Sequence, residues 1–202
     1  MPYVTAAQLK ATLAIGTTYA DADVSTAVEA ASRAVDGYCG LPPGMFAAAT
    51  QTRYYSPAAC DTELSIDPLN TLTTLKIDTD GNGTWETTWT SGTEFQLEPV
   101  NAATDAVPYN NVRILWQSGA TFSGYQKGVQ ISGSFGWATT PGAVTQATTI
   151  LAGKLLKRAR ETPYGILVVA GDAVTAARLG RIDHDVAFLL DNLPGTVPVL
   201  VL

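Results

Sequence analysis

The sequence predicts an α+β protein: a small helical bundle with an inserted antiparallel β-sheet or small β-sandwich lobe. Three observations carry that prediction. Apolar residues recur at helical spacing near both ends, at Val24, Val28, Ala31, Val35 and Tyr38, and again at Val144, Ala147, Thr148, Leu151, Leu155 and Ala159. Between them, residues 51–137 hold Thr, Tyr, Trp, Val and Ile in short runs broken by Gly, Asn, Asp and Pro, the pattern of strands and turns. All four tryptophans, Trp85, Trp89, Trp116 and Trp137, fall in that middle stretch, where large rings give a small lobe much of its core. The implied division is 1–45 and 138–191 as a helical core, 46–137 as the β insertion, and 192–202 as an extended apolar tail.

Thr5 is a good N-cap for a short helix through Leu9 to Leu13, which Gly16 ends. Asp21 or Asp23 then caps a longer helix, stopped by Gly40, Pro42 and Pro43. Strands are expected at 52–56, 63–66, 72–78, 84–90, 94–97, 112–116 and 129–137. Thr140 and Pro141 open the clearest helix, an N-cap followed by the proline tolerated at the first helical position, and Pro163 closes it after Glu161. An apolar stretch at 166–170 and short helices at 172–179 and 183–190 complete the reading.

The net charge of -6 and pI near 4.6 argue against a freestanding nucleic-acid binder, which needs clustered cations to neutralise phosphates. With 46% hydrophobic and 15% charged residues, the chain is globular and its surface is poor in charge, so partners are expected to cover part of it. Cys39 and Cys60 are too few and too far apart for a disulfide scaffold or a C-x-x-C site, and read as buried free thiols. The start of the chain has no basic or apolar signal region, and no apolar stretch approaches the roughly 20 residues that span a bilayer. The expected compartment is a cytoplasm.

No constellation for catalysis stands out. His184 is the single histidine, which rules out an H-E-x-x-H pair, and neither a G-x-S-x-G elbow nor a phosphate-binding P-loop is present. Asp183 and Asp185 beside His184 read as a charged helix start. Asp78-Thr-Asp80-Gly-Asn82-Gly83 resembles the opening of a calcium loop, with oxygen ligands at positions 1, 3 and 5. Position 12 is Trp89 instead of glutamate and the flanks read as strands, so a tight Asp/Asn/Gly hairpin turn is the expectation. No catalytic residue, cofactor site or metal site is assigned.

The candidate functional residues are therefore interfacial. Lys154, Lys157, Arg158 and Arg160 cluster near the end of the long helix, the first three sharing a face by their spacing. They suit an acidic neighbour or passing DNA. Val197, Val199, Leu200, Val201 and Leu202 form an apolar, β-prone tail that can add a strand to a partner's sheet.

Taken in order, the lead Tyr3-Val-Thr-Ala-Ala-Gln-Leu9 and the helix 28–40 ending Gly-Tyr-Cys-Gly resemble the opening helices of tailed-bacteriophage head-tail connector, or head-completion adaptor, proteins. Gly133-Ser-Phe-Gly-Trp137, the helix after Pro141 and Thr162-Pro-Tyr-Gly165 are similar to the later part of such connectors in phages of actinobacteria. The β stretch departs from the smaller, almost wholly helical connectors. The resemblance implies a non-enzymatic structural protein of the virion neck, assembled in the bacterial host cytoplasm. It implies docking on the portal protein as a ring of neighbouring copies, twelve in number, that extends the DNA channel toward the next head-tail or tail-completion protein. Double-stranded DNA would pass through without sequence recognition, and no cofactor or membrane is involved. The runner-up function is a carbohydrate- or host-surface-binding module, for which two or three coplanar exposed tryptophans are required.

Overall fold

The computed structural model describes residues 1–161 and 184–193. In chain order the elements are α1 (Ala6–Leu13), α2 (Asp21–Tyr38), β1 (Ala49–Tyr55), β2 (Glu63–Ile77), β3 (Thr87–Trp89), β4 (Phe95–Glu98), α3 (Ala102–Asp105), β5 (Tyr109–Ile114), β6 (Val129–Phe135), α4 (Gly142–Glu161) and α5 (His184–Asp191). The chain is thus α+β, and it divides into two compact units. One comprises Met1–Gly44 with the described residues from Thr140 onward, and the other is the single stretch Met45–Thr139. The stretches at 166–170 and 172–179, the stop at Pro163 and the tail 197–202 lie outside the described residues.

In the helical unit, α1 begins with a full capping box: the Thr5 hydroxyl accepts from the Gln8 amide at 3.1 Å and the Gln8 side chain accepts from the Thr5 amide at 2.8 Å. The start of α2 differs from the expectation. Its N-cap is Ala20, which has no side chain to cap with, while Asp21 and Asp23 lie inside the first turn. There they complement the helix dipole instead of capping a single amide. Asp21 also meets Lys10 of α1 at 2.5 Å.

The core of this unit joins Val4, Leu9, Val24, Ala27, Val28, Ala31, Ala152 and Leu156. On α4 the buried line runs Val144, Ala147, Thr148, Ala152 and Leu156. Leu155 and Ala159, expected to face inward, are exposed. The i, i+4 row from Thr148 through Ala152 to Leu156 turns them outward, since a helix of 3.6 residues per turn cannot keep all three rows on one seam. Gly153 lets α1 approach closely: a Cβ there would stand 3.0 Å from Leu13 Cδ1.

The other unit is a six-stranded sheet of order β1-β6-β2-β5-β4, with β3 paired to β2, and every strand pair is antiparallel. The two strands expected at 63–66 and 72–78 are one, β2. Pro68 does not break it because the register shifts between Ser65 and Leu69, where a missing N–H costs no ladder bond. β2 pairs with β5 through its first half and with β6 through its second, so the bend serves two partners. Leu69, Leu75, Phe95, Val112, Val129, Ile131 and Phe135 are completely buried here. Phe46 packs against Trp137, with ring centroids 4.7 Å apart.

The cysteines part company. Cys39 is buried, and burial pushes its thiol up to about 12, whereas Cys60, expected to be buried, is exposed in a turn. Among the described residues no helix is long and apolar enough to cross a membrane.

Candidate interaction surfaces

The basic residues near the end of α4 are all exposed, but they do not form one patch. Arg160 turns back onto its own unit, donating from Nη1 to the Thr18 carbonyl at 3.0 Å with its guanidinium 5.4 Å from the centre of the Tyr19 ring. Lys154 and Lys157 instead border a cleft on the α1 side, with Leu13, Ile15 and Ile150. Arg158 lines neither opening. The i, i+3, i+4 spacing places Lys154, Lys157 and Arg158 on adjoining rows, and Tyr19 then separates Arg160 from the lysines by drawing it aside.

The displaced apolar row has a consequence of its own. Leu155, Leu156 and Ala159 of α4 and Thr26, Ala27 and Ala30 of α2 wall a groove of about 660 Å³, which Tyr19 and Arg160 also line. Sequence reasoning missed it; the signal was the small residues Ala27 and Ala30 at i, i+3 opposite Ala159, which keep side chains from filling the gap between two helices.

In the sheet unit the loop from 78 to 86 is longer than the tight turn expected. Asp78 is buried at its base, where Oδ1 accepts from the amides of Gly81 at 2.7 Å and Asp80 at 3.3 Å, and Oδ2 accepts from Gly83 at 2.9 Å. Desolvation pushes the Asp78 carboxyl up, but the amides of Gly83, Gly81 and Asp80 together outweigh it and hold the pKa below the ordinary value. Oxygens of Asp78, Asp80 and Glu86 lie within 4.8 Å of one another. The Asp78 oxygens are engaged with the loop's own backbone, the arrangement that shapes an Asx-rich turn.

The tryptophans do not make a platform. Trp89 and Trp137 are buried, and Trp89 packs on Phe122 at 5.4 Å. Trp85 is half-buried, lies 4.9 Å from the Tyr54 ring and donates Nε1–H to the Lys127 carbonyl at 2.9 Å. Trp116 alone is open, at 90% exposure, so among the described residues no set of coplanar exposed tryptophans exists for a sugar to stack on. Asp185 and His184 sit exposed at the start of α5, and Asp183 lies outside the described residues.

No protein-family model matches the chain, and no curated protein does. Among solved structures the chain is similar to one from the neck of an empty GTA particle, computed with C6 symmetry, at 19% identity and a TM-score of 0.57, covering 94% of this chain and 88% of that one. It also aligns with a chain from the neck of a native GTA particle, computed with C12 symmetry, at 21% identity and a TM-score of 0.47 over 91% and 84% of the two chains. At these identities the likeness is one of fold.

Proposed function

We propose that this chain is a structural neck protein of a phage-like particle, an adaptor whose copies form a ring between portal and tail and extend the DNA channel. The observation that carries the reading is the fold shared with the neck chain of an empty GTA particle, which runs through nearly the whole of both chains and so takes in the helical and the sheet unit together. That neck was computed with C6 symmetry, the symmetry of a closed ring. The order of helices that resembles tailed-phage connectors supports the same reading from the sequence side.

On this reading the protein works by binding. Its partners are the portal protein, neighbouring copies of itself, twelve in the ring that the resemblance implies, and the next head-tail or tail-completion protein. It belongs to the neck of the virion after assembly in the bacterial host cytoplasm. The net charge of -6 suits a conduit through which double-stranded DNA slides without being held, because a cationic lumen would bind the duplex by counterion release. Lys154, Lys157 and Arg158, all exposed, are the cations this reading sets against an acidic neighbour.

The test is the mass of the purified chain by light scattering, alone and mixed with a portal ring. Recruitment of about a dozen copies per portal is the expected result. A chain that stays monomeric beside the portal at every concentration overturns the adaptor reading.

A further inference from the structure

A strand at the rim of a sheet presents a row of unpaired N–H and C=O groups, and proteins guard such rims by shortness, lysine, proline or a bulge. The open-sided strands of this sheet differ sharply in that respect. β3 and β4 are only three and four residues long. β1 has seven residues, pairs with β6 in unbroken register from Ala49↔Phe135 to Tyr55↔Val129, and holds neither lysine nor proline. Its one charge does not guard the rim. Arg53 is drawn over the sheet, 2.5 Å from Asp67, 2.9 Å from Gln51 and 5.1 Å from the Phe135 ring centre. Among the described residues, β6 is the only strand that pairs with β1.

We propose that β1 accepts residues 197–202 of a second copy of this chain as an added strand. The donor fits in length, six residues against seven, and in composition, Val-Pro-Val-Leu-Val-Leu being almost entirely β-forming. Pro198 has no N–H to give, so this segment can only be an outermost strand. Once added, it becomes the new rim and stops further growth. Alternation puts Val197, Val199 and Val201 on one face of the sheet and Leu200 and Leu202 on the other, beside Tyr55 and Tyr54 on their respective faces of β1 or the reverse. Tyr54, 45% exposed, gains a cover. Because donor and acceptor are different parts of one chain, the contact is heterologous and propagates from copy to copy until it closes. The choice of a second copy as donor rests on the ring proposed above; the strand pairing does not.

The experiment follows amide exchange of β1 in the full-length chain carrying Val199→Pro and Val201→Pro, with and without a synthetic peptide of residues 194–202. The expected result is about tenfold slower exchange at the alternate β1 amides that do not pair with β6, and no slowing with a peptide carrying the same two prolines. Unchanged exchange at millimolar peptide overturns the strand pairing, as does slowing confined to α2 and α4, which would seat the peptide in the helical groove. The unsubstituted chain is then weighed by light scattering while the same amides are followed. Protection that grows as the mass grows supports the second copy, and protection already complete in a monomer makes the donor the chain's own tail and overturns it. Rings that form with β1 exchanging freely overturn the inference and leave the ring reading standing, whereas peptide-dependent slowing in a chain that never oligomerises keeps the strand pairing and overturns both the ring and the second copy as donor.

Discussion

The hydroxyl of Tyr38, at the end of α2, donates a hydrogen bond of 2.7 Å to Oδ1 of Asp191, the last residue of α5, and so ties together elements 153 residues apart. The bond raises the Tyr38 pKa, first because the phenol is the donor to Asp191 and then through desolvation. Asp191 is exposed, so Tyr38→Phe should cost only about 0.5–1 kcal/mol, read as faster amide exchange in α5. A raised phenol pKa means that the contribution is complete below the ordinary value of 10.0 and disappears as pH climbs through the folded value. The wild type and the Tyr38→Phe variant should therefore converge in strongly alkaline solution; a difference that persists there would sink the assignment.

Asp36 should show the opposite sense of pH dependence for a carboxyl. It is 1% exposed, accepts from the Tyr3 hydroxyl and from the Gly44 amide at 3.0 Å, and meets Arg33 Nη1 at 2.8 Å. Desolvation is the largest influence and raises its pKa above 3.8 in spite of those partners. The unfolded chain then releases this proton at lower pH than the folded one does, so stability falls as pH rises from the ordinary carboxylate value to the folded one. Asp36→Asn removes that dependence. Urea denaturation from pH 3 upward should show the variant gaining on the wild type across this window, and parallel curves would count against a raised pKa.

Two glycines separate by what stands behind them. At Gly153 an added Cβ meets only the tip of Leu13, a side chain that is 38% exposed and free to turn aside, so Gly153→Ala should gain most of the roughly 1 kcal/mol of helix propensity. At Gly133 the added Cβ runs into the backbone carbonyl of Thr71 and comes within 3.3 Å of Leu72 Cα, in the strand that pairs with β6. A backbone neighbour cannot rotate away. Gly133→Ala should cost about 3 kcal/mol or more and unfold the sheet unit first, visible as early loss of the Trp89 and Trp137 near-ultraviolet signals.

The same distinction between local and distant causes explains what could be read in the sequence. Thr5 with Gln8 marks a helix start through groups three residues away, and α1 stands where that chemistry puts it, whereas α4 begins at Gly142, one residue later than Thr140 and Pro141 predict, with the Pro141 carbonyl accepting from the Thr145 amide. The strand alternation of Glu63 to Ile77 was visible, but its continuity was not, because the bulge that absorbs Pro68 exists only once β5 and β6 have taken their sides. Leu155 and Ala159 satisfy the helical period as well as Ala152 and Leu156 do, and only contact with α2 chooses between the rows. For the basic cluster, spacing alone put four cations together, and the Tyr19 ring, more than a hundred residues earlier, decides where Arg160 goes. An edge strand is likewise invisible in one segment: nothing in Ala-Thr-Gln-Thr-Arg-Tyr-Tyr says that, among the described residues, β6 alone will pair with it.

The loop from 78 to 86 makes the last prediction. Three backbone amides, of Asp80, Gly81 and Gly83, point at one carboxylate, and Asp78→Ala leaves them all without that acceptor. Gly81 and Gly83 hold positive φ of 77° and 84°, which the chain keeps because the Asp78 oxygens pull their amides inward. The variant should melt at a lower temperature than the wild type, and Trp85, which lies within this loop and donates to the Lys127 carbonyl, should report the loosening as a red-shifted emission. A lowered carboxyl pKa means that the stabilisation is present above the ordinary value of 3.8 and is lost as pH falls through the folded value. Acidification of the wild type should therefore shift the Trp85 emission toward that of Asp78→Ala, and by more than it shifts the emission of the variant, in which Glu86 with its Thr84 partner still titrates. If both proteins titrate alike, the amides around Asp78 are not what holds the loop.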